Sequence, residues 1–185
     1  TTSAYSLSQE DREIDMTDRE AWMKPTSHHS IDHPQWLEKR LELEEKAFNT
    51  SLTFPNSFLL DSSKGHASTW LAAWLNQQGL DVKEVSQEAV AMNAGCGAGE
   101  LSPGQTWTWN EAKTSEHLLV RSVTPQAVGA IVGAALDGDG DRCLLLQETQ
   151  DGIRVFDGDD IADAILSSLC ANWIVAASIE SNLTL

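Results

Sequence analysis

From residue 57 onward the apolar positions fall into short blocks whose spacing switches between that of a strand and that of a helix. Phe58-Leu59-Leu60 reads as a buried strand, with Asp61-Ser62-Ser63-Lys64-Gly65 as the turn after it. Within Ala67–Gln78, Trp70, Leu71, Trp74 and Leu75 share one helical face, and Gly79 ends the helix. Val82 to Val85 is the next strand. Strand, helix and strand in such close succession predict a right-handed βαβ unit, and hence a parallel sheet covered by helices. Glu116–Arg121 and Pro125–Val128 read as helical. They lead into an apolar strand, Ala130 to Leu136, and a second apolar run, Cys143 to Leu146, follows shortly after. Val155 closes a hairpin after Asp151-Gly152. Asp157-Gly158-Asp159-Asp160 opens a helix with Ile161, Ala164, Ile165 and Leu169 inward, its acids suiting a helix N-terminus better than a metal. Trp173 to Ile179 is a last strand. The fold class expected is α/β, a mixed, mainly parallel sheet with helices packed on it and an incomplete second domain at the C-terminus.

Two stretches carry no clear period. Asn93 to Gly99 is a glycine-rich turn, and Ser102–Lys113 is an excursion whose Trp107 and Trp109 pack locally. Before residue 57, Gln35 to Phe48 alternates apolar and charged residues as a connector helix does. Residues 1–34 are polar, with helix starts at Ser8-Gln9-Glu10-Asp11 and Thr17-Asp18-Arg19-Glu20. By pattern, an irregular lead-in (1–34) and a connector helix and linker (35–56) precede an α/β unit (57–150), and a further stretch (151–185) follows it.

Composition narrows the function. At 185 residues the chain can bury a proper core. Its net charge of −16 argues against nucleic acid or an anionic membrane surface as partner. From Leu136 to the end, ten acids face only Arg142 and Arg154, so half of that net charge gathers in the last fifty residues. Cys96, Cys143 and Cys170 form no C-x-x-C pair. They favour a reducing compartment, read here as cytoplasmic. No apolar run has the length of a membrane span, and there is no signal peptide. The start at Thr1 reads as a cut or processed end.

The chemistry concentrates in Asp137-Gly138-Asp139-Gly140-Asp141-Arg142, between two apolar strands. Three carboxylates at alternate positions repel one another unless a cation lies among them, and hard oxygen donors suit Mg²⁺ or Ca²⁺. The intervening glycines let the backbone curl. An EF-hand would also place Asp137, Asp139, Asp141 and Glu148 in register, but it needs glycine where Arg142 stands and helices on both flanks. A solvated acidic turn is the other alternative. His28, His29 and His33 lack a fourth ligand for zinc. Lys64 near a helix start lacks the glycine pattern of a phosphate loop, so its reading is structural.

The order of these motifs resembles the α-D-phosphohexomutases, with the phosphoglucosamine mutase and phosphomannomutase/phosphoglucomutase branches closest. The matching residues are Asp61 and Gly65, Asn93 with Cys96-Gly97, Asp137 to Arg142, Val155 with Asp157-Gly158-Asp159, and Ser181-Asn182-Leu183. The resemblance implies the tail of a first domain (1–34), the second of four domains (57–150) and the start of the third (151–185). It also implies Mg²⁺ held by Asp137, Asp139 and Asp141 together with a phosphoserine, and Arg142 orienting the phosphate or substrate. The implied activity is an isomerase's, moving a phosphoryl group between the 1- and 6-positions of a glucosamine, mannose or glucose phosphate. Its partners would be that hexose phosphate and the remaining domains of the full-length enzyme. The family's nucleophile lies in T-x-S-H-N-P. Thr26-Ser27-His28 imitates it but lacks Asn-Pro and stands too near the Phe58 strand. The chain alone is therefore expected to be inactive. The rival reading is a non-catalytic divalent-cation-binding α/β module, or a pseudoenzyme subunit.

Overall fold

The computed structural model describes residues 37–39, 41–42 and 57–168. The reading of 1–34 with its three histidines and Ser27, the strand at Trp173–Ile179, Cys170 and Ser181-Asn182-Leu183 all lie outside them. Contacts divide the chain into Thr1–Thr50 and Ser51–Leu185. In the first unit the described residues 37–39 and 41–42 are helical. Leu37 and Leu41 are half-buried there, while Glu38, Lys39 and Glu42 are exposed.

In the second unit six strands form one sheet: β1 (Ser57–Asp61), β2 (Asp81–Glu84), β3 (Thr106–Thr108), β4 (Ile131–Leu136), β5 (Cys143–Glu148) and β6 (Gly152–Phe156). Their spatial order is β2-β1-β4-β5-β6-β3. β1 pairs in parallel with both β2 and β4, as the βαβ pattern predicts. The other three pairings are antiparallel, because β4–β5 and β5–β6 are hairpins and β3 returns along β6. The α/β sheet expected to be mixed and mainly parallel is mixed, parallel in its first half, but antiparallel in its second, where the hairpins put three of its five pairings. The boundary drawn after residue 150 falls inside the β5–β6 hairpin, so the start of the expected following domain contributes β6 to this sheet.

Helix α1 (Leu71–Gln77) joins β1 to β2 after a 3₁₀ turn at His66–Thr69, which takes up the first part of the predicted helix. α2 (Trp109–Thr114) and α3 (Leu118–Ser122) lie between β3 and β4, and α4 (Gly158–Ser168) follows β6. Residues 125–128 are not helical. Pro125 disfavours the helical region for Thr124, Gly129 turns at φ +89°, and the Gln126 N–H is held by the Glu148 carboxylate.

Strand alternation sorts the core onto two faces. Leu59, Leu144, Leu146, Ile153 and Val155 join Leu119, Val120 and Val123 on one face, together with Trp107 and Trp109. Phe58, Leu60 and Leu145 meet Leu71, Leu75 and Leu80 on the other. A register shift between Ile131 and Gly133 lets Val132 and Ala135 serve the same core while Ala134 serves the opposite one. The tryptophan excursion is therefore an edge strand and a helix that cover this core.

A capping box starts α2. Glu111 N–H donates to Thr108 Oγ1 (3.3 Å), and the Glu111 carboxylate accepts from Thr108 N–H and Oγ1–H, both at 2.8 Å. Thr108→Ala will lower stability by about 1 kcal/mol at neutral pH. The Thr108 backbone N–H, then its hydroxyl, hold the Glu111 carboxyl below the usual range, against a small opposing effect of burial. A carboxylate whose pKa drops on folding stabilises above its unfolded pKa and loses that contribution as pH falls through the folded value. Protonation weakens the bond from the Thr108 hydroxyl to the carboxylate but leaves Glu111 N–H on Thr108 Oγ1, so the gap between the thermal midpoints of wild type and Thr108→Ala will narrow in acid without closing.

Candidate metal centre

β1 and β4 run side by side in the same direction, with Asp61 opposite Ala135. The turn after β1 and the loop after β4 therefore emerge together at the C-terminal edge of the parallel strands, where open α/β sheets present their sites. A cleft of about 280 Å³, lined in part by Ser57, Asp81, Lys83 and Gln126, opens at the opposite end of the same strands.

The acidic loop spans residues 137–142, between Leu136 and Cys143, which face each other as the last pair of the β4–β5 hairpin. Asp137 folds back into it, and its Oδ1 accepts from Gly140 N–H at 3.1 Å and Arg142 N–H at 3.2 Å. Gly140 makes the turn at φ +78°, where glycine has no steric penalty. Asp137 is half-buried, and Asp139 and Asp141 are exposed. One oxygen from each carboxylate can be chosen so that all three lie within 4.8 Å of one another. The three acids predicted from the sequence are thus brought together. Arg142 stands exposed at the end of the loop.

The carboxylates feel one another. Burial works to raise the Asp137 carboxyl, but the Arg142 N–H, the Asp141 side chain and the Gly140 N–H outweigh it and hold it below the ordinary range. Asp141 is pushed up, first by the charge of Asp139 and then by that of Asp137, with Arg142 pulling the other way. Such mutual repulsion is what a bound divalent cation would relieve, and three carboxylate oxygens are a donor set suited to a hard ion. No EF-hand forms. The flanks are strands, and Glu148 is buried on β5 with its carboxylate engaged by Gln126.

The loop rests on a seat made by two other segments. A Cβ on Gly65 would collide with the Gly138 carbonyl, and one on Gly97 with the Ser63 side chain. The space beside Gly138 is taken by Met92 Sδ and Asn93 Nδ2. His66 N–H donates to Gly138 O (3.3 Å) and Asn93 N–H to Ser63 O (3.1 Å), while Ser63 Oγ donates to Asn93 Oδ1. The stretch Asn93–Gly99, which reads from sequence as a turn of undefined role, is in fact part of this seat, with Cys96, Gly97 and Ala98 buried. Lys64 serves structure, as expected. Its N–H donates to Ser86 Oγ (2.8 Å) and its ammonium to Ala89 O.

Sequence reasoning singled out Asp61 without giving it a role and missed the other groups beneath the seat. Asp61 is fully buried, Ser63 is fully buried, and His117 is 6% exposed. Burial pushes the Asp61 carboxyl up, against the lowering effects of the Gly97 and Ser63 N–H groups and of His117. The available signals were an Asp closing an apolar strand and the match of Asp61 with Gly65 and of Asn93 with Cys96-Gly97 to the family's motifs, which carried no role for these residues. Nothing local connects it to Gly97 or His117.

No protein-family model matches the chain, and no curated protein matches it either. Among solved structures, the chain is similar to an Aspergillus fumigatus N-acetylphosphoglucosamine mutase, a serine-to-alanine variant in complex with glucose 1,6-bisphosphate. The identity is 22% and the TM-score 0.46, over 72% of this chain. The chain spans about a quarter (24%) of that protein's length.

Proposed function

We propose that the loop 137–142 is the divalent-cation loop of a phosphohexomutase-type site, which moves a phosphoryl group between the 1- and 6-positions of a hexose phosphate. The observation that carries this reading is the convergence of Asp137, Asp139 and Asp141 to within 4.8 Å on a hairpin loop. Those three residues would hold Mg²⁺, and the ion would supply charge neutralisation for a phosphate in transit.

The chain's own residues divide the remaining work. Asp137, tied to two backbone N–H groups, fixes the loop's shape. Asp139 and Asp141 are exposed, each with a carboxylate oxygen that can converge with one of Asp137. Arg142 follows directly, and its planar fork of N–H donors suits a phosphate oxygen pair. This reading assigns the phosphoryl-carrying serine to a part of the full enzyme other than residues 57–168, so the whole reaction needs its further domains.

Calorimetric titration of Mg²⁺, with Mn²⁺ as a second probe, tests it. Asp139→Asn removes one of three charged donors on an exposed loop and will weaken binding by about tenfold or more. Equal, weak binding by wild type and variant would remove the metal assignment. Cation binding by wild type with no response to a hexose bisphosphate in a longer chain carrying the remaining domains would favour the non-catalytic module instead.

A further inference from the structure

Asp61, at the C-terminal end of β1, divides its two carboxylate oxygens between separate segments. Oδ1 accepts from Ser63 N–H at 2.9 Å, within its own turn. Oδ2 accepts from Gly97 N–H at 2.8 Å, thirty-six residues along the chain. Gly97 is gripped from its other side as well, since His117 Nε2 lies 3.0 Å from its carbonyl oxygen and 4.0 Å from Asp61 Oδ2. A carbonyl only accepts, so Nε2 carries the proton in that contact. Glu84 closes the same edge, its Oε1 accepting from Ser62 N–H (3.3 Å) and from Ser86 N–H and Oγ–H (2.8 and 2.6 Å).

Asp61 and His117 make none of the contacts described for the acidic loop, yet both segments that Asp61 joins do touch it. The Ser63–Gly65 turn meets Gly138, and Gly97 lies against the Leu136 carbonyl, directly before Asp137. We propose that Asp61 is the positioning residue of the acidic loop. Its carboxylate clamps the turn after β1 to Gly97, and the seat so formed fixes Gly138 and, with it, the spacing of Asp137, Asp139 and Asp141. The consequence for metal binding rests on the function proposed above. The consequence for loop geometry does not.

Asp61→Asn is the direct test. The side chain keeps its shape, but its amide N–H₂ must face one of two backbone N–H donors, so one hydrogen bond becomes a donor–donor contact. Amide hydrogen exchange at His66, whose N–H donates to the Gly138 carbonyl, and at Gly140 and Arg142 will speed up by about tenfold or more, while Leu146 and Val155 keep their protection. Mn²⁺ affinity, measured by calorimetry, will fall by about tenfold alongside. Unchanged loop exchange in folded Asp61→Asn overturns the proposal. So does an equal acceleration at the core amides, which would mark a general loss of stability. Should Asp61→Asn fail to fold, Asp61→Ser decides, since its shorter hydroxyl cannot join the Ser63 and Gly97 N–H groups as the carboxylate does and introduces no amide donor facing them. Faster loop exchange there supports the clamp and unchanged exchange overturns it. If wild type binds no Mn²⁺, the metal reading falls and the exchange data alone judge the clamp.

Discussion

Gly97→Ala will unfold at a markedly lower urea concentration than wild type, with a loss of about 3 kcal/mol, whereas Gly99→Ala two residues away will be close to neutral. Gly97 sits at φ 84°, ψ 167°, a region open essentially to glycine alone. A Cβ there also strikes the Ser63 side chain and comes within 3.0 Å of the Leu136 carbonyl. Backbone strain and overpacking therefore add at one buried position. At Gly99 the φ is ordinary and the space is open. Because a domain of this size holds only about 5–15 kcal/mol in total, such a loss is a large share. The effect will also reach the acidic loop, since Leu136 immediately precedes Asp137. The check is the urea midpoint of each variant, with the slope compared to confirm that the same surface is exposed on unfolding. Equal midpoints for the two variants would mean that the seat yields without cost.

Leu119→Ala is expected to destabilise by about 2–5 kcal/mol. Leu119 is fully buried on α3, at the centre of the larger core. Its side chain fills the space left open by Gly133 on β4, where a Cβ would come within 3.0 Å of Leu119 Cδ1. This gives the prediction a second arm. Gly133→Ala alone overpacks the contact and costs stability, but in the Leu119→Ala background the added methyl enters the cavity. A double-mutant cycle will show the two changes partly compensating, by about 0.5–3 kcal/mol. Strict additivity would mean that helix and strand are not in the contact described. The same helix follows His117 directly, so loosening α3 will also loosen the grip on Gly97.

The acidic loop was legible because its chemistry is local. Three carboxylates at alternate positions with glycine between them, framed by apolar runs, limit what the backbone can do. Strand β1, helix α1 and strand β2 were legible for a similar reason, since their periods lie within single short segments. The excursion at Ser102–Lys113 was not. A three-residue edge strand has too few positions to display alternation, and β3 exists because β6 offers it a partner. Pro125–Val128 misled in the opposite sense, since its composition suits a helix start but Glu148 and Gly129 hold it in a turn.

Sequence by itself thus determined the strand–helix–strand order from β1 to β2, the apolar runs of β4 and β5 and the placing of three acids on the loop between them. Those properties follow from neighbours a few residues apart. Only the tertiary structure decided that β6 and β3 join the same sheet, that Asn93–Gly97 braces the acidic loop, and that Asp61 lies beneath it. The reason is distance along the chain. The Asp61–Gly97 bond spans thirty-six residues, and the glycines at 65 and 97 are required by atoms of Gly138, Ser63 and Leu136 that no local pattern brings near them.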